Sequence, residues 1–341
     1  MAAVTPGEGV PGACLVTGGA GFIGRWVVQD LLGRGAPRVV VLDDFSNSDP
    51  SNLEEFRDAS SLRIVRGNIT RREDVQALWK SHGPFEVVYH LAASIRVQDS
   101  IDNPRSTFTN DVLGTFEILE ECRRQLREEG ASRAPRLVVM STCMVYARAE
   151  DSRGIGEGHP TRPASPYAAS KIAAENLALS YHLTYGLPVK VLRPFNTYGP
   201  FQKRNLEGGV VAIFISRDLE GKPLLVKGDG TQTRDLLYVS DCARFVADAG
   251  LSPAGDGEIL NAGSGTDVSI RRLAELIADP KRGGRGGAID FVEHDHPQSE
   301  ILKLLADNSK ATKLFRWRPR VPLEEGVALT REWIRKNPDR V

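Results

Sequence analysis

Short apolar runs recur along the chain, each bounded by polar or glycine-containing residues. They are ACLVTG from Ala13, RVVVLDD from Arg38, LRIVRGN from Leu62, FEVVYHLAA from Phe85, RLVVMST from Arg136, PVKVLRPFN from Pro188 and GEILNAG from Gly257. The segments between them, such as GRWVVQDLLGRG, EDVQALWKSHG and SPYAASKIAAENLALSYHLTYG, carry apolar residues at helical spacing, and several end in glycine, a common helix stop. Strand and helix therefore alternate, which predicts βαβ units, a parallel sheet and a doubly wound α/β fold. After Asn196 the pattern gives way to a polar, glycine-containing passage, TYGPFQKRNLEGG. Beyond Gly263 helices predominate around an Arg/Gly-rich loop, DPKRGGRGGA.

The first apolar run leads into VTGGAGFIG, where Gly18, Gly21 and Gly24 form a G-x-x-G-x-x-G pattern between a predicted strand and a predicted helix. Gly18 permits a tight turn, Gly21 lets the backbone approach a pyrophosphate, and Gly24 allows close packing of helix on sheet. The helix N-terminus, with Phe22 and Ile23 in its first turn, adds N–H groups and partial positive charge. Asp43 ends the second predicted strand about 20 residues on, where a carboxylate accepts hydrogen bonds from an adenosine ribose. With Asp44 beside it, a 2′-phosphate would meet negative charge, so NAD is expected rather than NADP. The expected fold is a Rossmann-type doubly wound parallel sheet with a smaller C-terminal α/β domain that binds substrate. Residues 1–11 read as a flexible leader, 12–193 with 236–262 as the NAD-binding domain, and 194–235 with 263–341 as the substrate domain.

Composition narrows the functional classes. The 341 residues carry 44 Lys+Arg against 44 Asp+Glu, so no global field favours nucleic acid or an anionic membrane, and phosphate binding must come from local groups. Cys14, Cys122, Cys143 and Cys242 are scattered without metal-like spacing, which fits reduced thiols and no metal site. The N-terminus lacks a basic segment followed by an apolar one, and no run approaches the length of a membrane span. A soluble cytoplasmic protein is expected.

In SPYAASK, Tyr167 and Lys171 stand four apart on a predicted helix and share a face. A phenol is a poor base, but a neighbouring ammonium and a bound nicotinamide cation favour its phenolate. Thr142, at the end of RLVVMST, is placed to hold a substrate hydroxyl against it. A Tyr/Lys pair at this spacing also occurs on solvated helices; the upstream dinucleotide fingerprint favours the catalytic reading.

TGGAGFIG, LDDFSNS, GNI at Gly67, HLAAS at His90, STCMVY, SPYAASK, RPFNTYGP and GDGTQTRDLLYVSD together carry a resemblance over nearly the whole chain. The sequence resembles the extended short-chain dehydrogenase/reductases of the NAD-dependent nucleotide-sugar epimerase/dehydratase family. The resemblance implies that Ser46 and Asn47, with Asp43 and Asp44, belong to the cofactor site, that Asn68 and Ile69 flank the adenine, and that Leu91, Ala92 and Ala93 line the dinucleotide. Pro194 is implied near the nicotinamide, and the NAD is reduced and reoxidised within one cycle. On the substrate side it implies Asn196 and Arg234 at a nucleotide diphosphate, Leu225 and Lys227 around the nucleobase, and a homodimer. A guanidinium on a diphosphate makes physical sense.

The chain departs from the family pattern at three places. Near the C-terminus, Pro297 in HDHPQSEI stands where an arginine is usual, with His294 and His296 nearby. In TNDVLGT, Asp111 occupies the position of the usual Asn, with Asn110 beside it. In STCMVY, Cys143 and Met144 stand where relatives that remove water across C5 and C6 usually place Asp and Glu. Methionine cannot move a proton, and a thiol does so only if its pKa is suitable; both residues otherwise pack under the sugar. The leading expectation is therefore a nucleotide-sugar 4-epimerase acting on a UDP-sugar through a 4-keto intermediate. The alternatives are a 4,6-dehydratase that has recruited Cys143, or a carboxylate from elsewhere such as Asp111, a UDP-uronic acid epimerase or decarboxylase in which Arg96 and Lys203 or Arg204 meet a carboxylate, and a non-catalytic dinucleotide sensor.

Overall fold

The computed structural model describes residues 10–149, 154–203, 209–293 and 302–340. Its strands are β1 (Ala13–Thr17), β2 (Arg38–Asp43), β3 (Leu62–Arg66), β4 (Val87–His90), β5 (Arg136–Met140), β6 (Val189–Pro194), β7 (Asn196–Tyr198), β8 (Leu224–Lys227), β9 (Thr233–Tyr238), β10 (Ile259–Ala262), β11 (Asp267–Ser269) and β12 (Ile289–Val292). The helices are α1 (Phe22–Gly33), α2 (Arg72–His82), α3 (Val97–Asp102), α4 (Pro104–Phe108), α5 (Gly114–Glu129), α6 (Pro166–Tyr185), α7 (Val210–Leu219), α8 (Val239–Leu251), α9 (Ile270–Ala278), α10 (Ser309–Phe315) and α11 (Leu323–Lys336).

The seven apolar runs form one parallel seven-stranded sheet in the order β10-β6-β5-β4-β1-β2-β3. Side chains alternate across its faces, as a strand requires. Cys14, Val16, Val39 and Val41 pack with α1 and α8, whereas Leu15, Val40 and Leu42 pack with α2, α5 and α6. Helices therefore cover both faces, and the Rossmann-type expectation holds. After β3 the chain crosses back over β1 to form β4, so strand order reverses between β1 and β4. Such a reversal opens a crevice beyond the carboxyl ends of the strands.

The remaining strands form small sheets, β11-β9-β7 and β12-β8. Around them α7, α9 and α11 enclose a separate core that includes Phe214, Ile215, Leu236, Tyr238, Leu273, Ile277, Val327 and Ile334. Helices predominate beyond Gly263 as expected, although the short strands β11 and β12 also occur there. Among the described residues no helix is long and apolar enough to cross a membrane.

Candidate active site

The glycine turn lies at the strand-order reversal. Gly18 has φ +68°, and a Cβ built there would lie 2.9 Å from the Ala92 backbone, so glycine is needed both for the turn and for the approach of the β4 loop. A Cβ on Gly24 would overlap the Gly18 carbonyl oxygen, which is why α1 can begin against its own turn. The carboxylate of Asp43 accepts from Ala20 N (2.9 Å), Phe45 N (2.9 Å) and Ser48 Oγ (2.8 Å). A carboxylate offers about four lone-pair positions, so one remains for a ribose hydroxyl. Asp44 accepts from Ser46 N (2.9 Å) and Asn68 Nδ2 (3.1 Å), which brings the second acid, Ser46 and Asn68 to one edge. Asn68 also turns its own loop by accepting from Thr70 N at 2.8 Å. Ile69 is buried against the start of α5.

Beneath the turn runs a chain of hydrogen bonds whose directions can be assigned. The Thr115 hydroxyl donates to Asp111 O, so its oxygen receives the His90 Nε2–H at 3.0 Å. His90 Nδ1 then accepts from the Thr17 hydroxyl at 2.8 Å, and Thr17 Oγ1 accepts Ala92 N–H at 3.2 Å. The chain requires a neutral imidazole. Burial, and secondarily the charge of Lys171, lower the His90 pKa to about 3. This relay fixes the Leu91–Ala93 segment beside the glycine turn.

Opposite lies the N-terminal part of α6. Ser165 caps it by accepting Ala168 N (3.2 Å), Pro166 occupies its first turn, and Gly186 ends it at φ +72°. The Tyr167 N–H donates to Ser100 Oγ at 3.1 Å, which ties α3 to this end. Thr142 stands close enough to the Tyr167 hydroxyl to favour its phenolate, and Thr142 Oγ1 accepts Met144 N (3.2 Å), starting a tight turn over Cys143–Val145. Lys171 is buried one helical turn on, where burial lowers its pKa while Asp111 and Glu175 oppose the shift. Glu175 is itself held by Arg193 through two hydrogen bonds of 2.8 and 2.5 Å and by Ser141. Burial, then Asp111 and Cys143, raise the Tyr167 phenol pKa, against the Thr142 hydroxyl. A lowered value, as base chemistry needs, requires added positive charge beside the phenol.

Cys143 is 3 % exposed and packs with Val145, Tyr146, Ile155, Phe195, Leu304 and Ala306, with partly buried Met144 at the edge. Burial pushes its thiol up to about 12, with Arg234 opposing; the thiol is protonated at neutral pH. The buried Asn196 Oδ1 has no hydrogen-bond partner among the described residues, a feature that invites a ligand donor. Pro194 is buried at the end of β6. Arg96 caps α3 and lies 3.8 Å from Asp99, its buried Nε without a hydrogen-bond partner among the described residues. It lines a cavity with Asn47, Ser94 and Asn103. Lys203 Nζ donates to Asn47 O at 2.8 Å, joining the segment after β7 to the cofactor loop. Leu225 and Lys227 share the outer face of β8. Arg204, His294, His296 and Pro297 lie outside the described residues.

The profile of the NAD dependent epimerase/dehydratase family matches residues 14–263. The chain belongs to that family. It is 37% identical over 322 residues to a UDP-glucose 4-epimerase of Mycolicibacterium smegmatis, covering 94% of this chain and 98% of that protein. It is 33% identical over 332 residues to a dTDP-glucose 4,6-dehydratase of Actinoplanes sp., covering 95% and 98%. Among solved structures, Pal from Bacillus thuringiensis superimposes with a TM-score of 0.87 at 52% identity, covering 95% of this chain and 99% of that one. NAD is the cofactor of the family, and the tight turn at Gly18, the abutment of Gly24 and the spare acceptor position on Asp43 fit it.

The sequence singled out Asp111 only as a departure and as a carboxylate that a dehydratase could recruit, and it gave no sign of Ser94, Ser170 or His90. Asp111 sits in a π-helical turn, Thr109–Leu113, which inserts an extra residue between α4 and α5 and places it in the interior at 1 % exposure. The only local signal was the departure in TNDVLGT; such bulges gather at functional sites.

Proposed function

We propose that this protein interconverts UDP-sugars epimeric at C4, by oxidising C4 and reducing it again. The observation that carries the reading is the convergence of Thr142, Tyr167 and buried Lys171 beside the glycine turn. NAD, when bound, accepts a hydride from C4 and later returns it. The chain supplies the rest. Thr142 orients the substrate hydroxyl, and Tyr167 Oη takes its proton as the C–H bond breaks and returns it on reduction. The Lys171 ammonium favours the phenolate. Asn196 and Arg234 hold the diphosphate, and the 4-keto sugar turns over before hydride returns to its other face. In this reading Leu225 and Lys227 flank the nucleobase, and Cys143 and Met144 pack below the sugar.

A second reading is favoured by one observation: Cys143 stands in the tight turn that packs against α6, the helix that carries Tyr167, and its thiol is protonated. In this reading the thiol protonates the leaving C6 hydroxyl and the resulting thiolate takes the C5 proton, so water is lost across C5 and C6, and the hydride taken from C4 would return at C6 as the thiol gives its proton back to C5. Incubation with UDP-, dTDP-, GDP- and CDP-sugars, followed by product mass and stereochemistry, separates the two. An epimer of unchanged mass is expected; a product lighter by one water establishes the second reading, and no turnover of any nucleotide sugar overturns both.

A further inference from the structure

We propose that Asp111 is a positioning residue whose carboxylate clamps the Ser94 loop to α6 and supplies the negative charge against which Tyr167 and Lys171 are held. Oδ1 accepts the Ser94 N–H at 2.7 Å and lies 3.4 Å from Asn110 Nδ2, while Oδ2 accepts the Ser170 hydroxyl at 2.7 Å. Ser94 begins the segment that leads into α3, and Ser170 lies on α6 between Tyr167 and Lys171. One carboxylate thus joins the loop beside the cofactor turn to the helix that carries both proton-transfer groups. The backbone of the same residue receives Thr115, the end of the His90 relay. The Asp111 position is therefore fixed from two sides by groups that also shape the cofactor crevice.

Charge distinguishes this residue from the asparagine that the resemblance implies there. The groups facing Tyr167 are Asp111, Cys143 and the Thr142 hydroxyl. Those facing Lys171 are Asp111 and Glu175, with His90 close enough to feel its charge. Glu175 is already paired with Arg193. Asp111 is the carboxylate shared by both members of the pair. It disfavours the Tyr167 phenolate and favours the Lys171 ammonium. The first effect adds to burial in disfavouring the phenolate, and the second opposes the burial that lowers the lysine.

Asp111→Asn removes the charge and keeps the clamp. Its Oδ1 still accepts Ser94 N–H, and its amide donates to Ser170 Oγ, whose proton then goes to Tyr167 O, 2.8 Å away. The experiment is a near-UV phenolate titration of the NAD-loaded protein, with Tyr167 identified as the signal lost in Tyr167→Phe. In Asp111→Asn the Tyr167 titration is expected roughly 0.5–1 pH unit lower. In kinetics both limbs of the pH profile of kcat/KM should move down, because the phenolate and the ammonium both lose the same partner. A structural role alone would lower the height of the profile and leave its limbs in place. An unmoved or raised Tyr167 titration overturns the proposal. If the Asn variant does not fold, Asp111→Ser is likewise neutral and gives the same readout. The kinetic arm rests on the function proposed above; the titration needs no substrate, so a protein inactive on every nucleotide sugar would sink that function while the titration still decides the role of Asp111.

Discussion

Tyr167 is the residue whose loss should be least tolerated in chemistry and best tolerated in folding. Tyr167→Phe removes the oxygen proposed to take the proton while keeping the ring, so substrate-dependent reduction of bound NAD should fall by roughly a hundredfold or more with the far-UV circular dichroism unchanged. His90 makes the opposite kind of prediction, one about stability. Its folded pKa of about 3 lies below the ordinary value of 6.5, so between these two values the unfolded chain binds the extra proton. Stability is thus full above about pH 6.5 and is lost as pH falls toward 3, by up to about 1.4 kcal/mol per unit. His90→Gln retains one donor and one acceptor for Thr115 and Thr17 but does not titrate. Denaturant unfolding should give it a flatter stability profile between about pH 6.5 and 4; an identical slope would remove His90 as the source.

At the level of elements, the βα turn and the cap of α6 set the site. Gly24→Ala places a methyl group on the Gly18 carbonyl, a backbone contact that no rotamer relieves. It should cost about 1–3 kcal/mol of stability and abolish NAD retention through gel filtration. Asp43, whose carboxylate holds Ala20 N and Phe45 N at the same turn, is the proposed contact for the adenosine ribose. Asp43→Ala should weaken NAD binding more than NADP binding, measured by calorimetry on protein stripped of cofactor; an unchanged ratio would take Asp43 out of the adenosine site.

Across the whole molecule, two surfaces connect distant parts of the chain. Arg25, after the glycine turn, stacks over Trp26, Phe56 and Phe201, and Arg340 stacks on Phe201 while reaching Asn52. The end of the chain is thereby fastened to the cofactor side. On the opposite flank, Phe108, Leu113, Phe116 and Tyr185 are 51, 47, 37 and 47% exposed. α5 and α6 are knit there by Tyr181 to Glu120 and Arg123 over Tyr185. Exposed apolar side chains spread along paired helices fit a two-fold contact with a second copy. Sedimentation should show a dimer at micromolar concentration, and Phe116→Glu should give a monomer; a monomeric wild type would refute the assignment.

Much of this was local enough to be legible in the residues alone. Alternation of apolar runs with helical spacing specifies the parallel sheet, because each strand buries both faces and each helix one. The glycine spacing and the four-residue separation of Tyr167 and Lys171 are properties of one turn and one helix, so they needed no partner to be read. What the tertiary structure decided depends on contacts between residues far apart in sequence. The Cys143 thiol is pushed up by burial in a core that includes Ile155, Phe195 and Leu304, and no spacing announces a burial assembled from three separate segments. The neutrality of His90 follows from its burial, and then from Lys171, where Thr17 and Thr115 meet it from two different elements. Asp111 gains its place only because a π-helical turn rotates it inward toward Ser94 and Ser170. Local backbone preference can be read from composition and period, whereas the charge state of a buried group is set by every neighbour the fold brings to it.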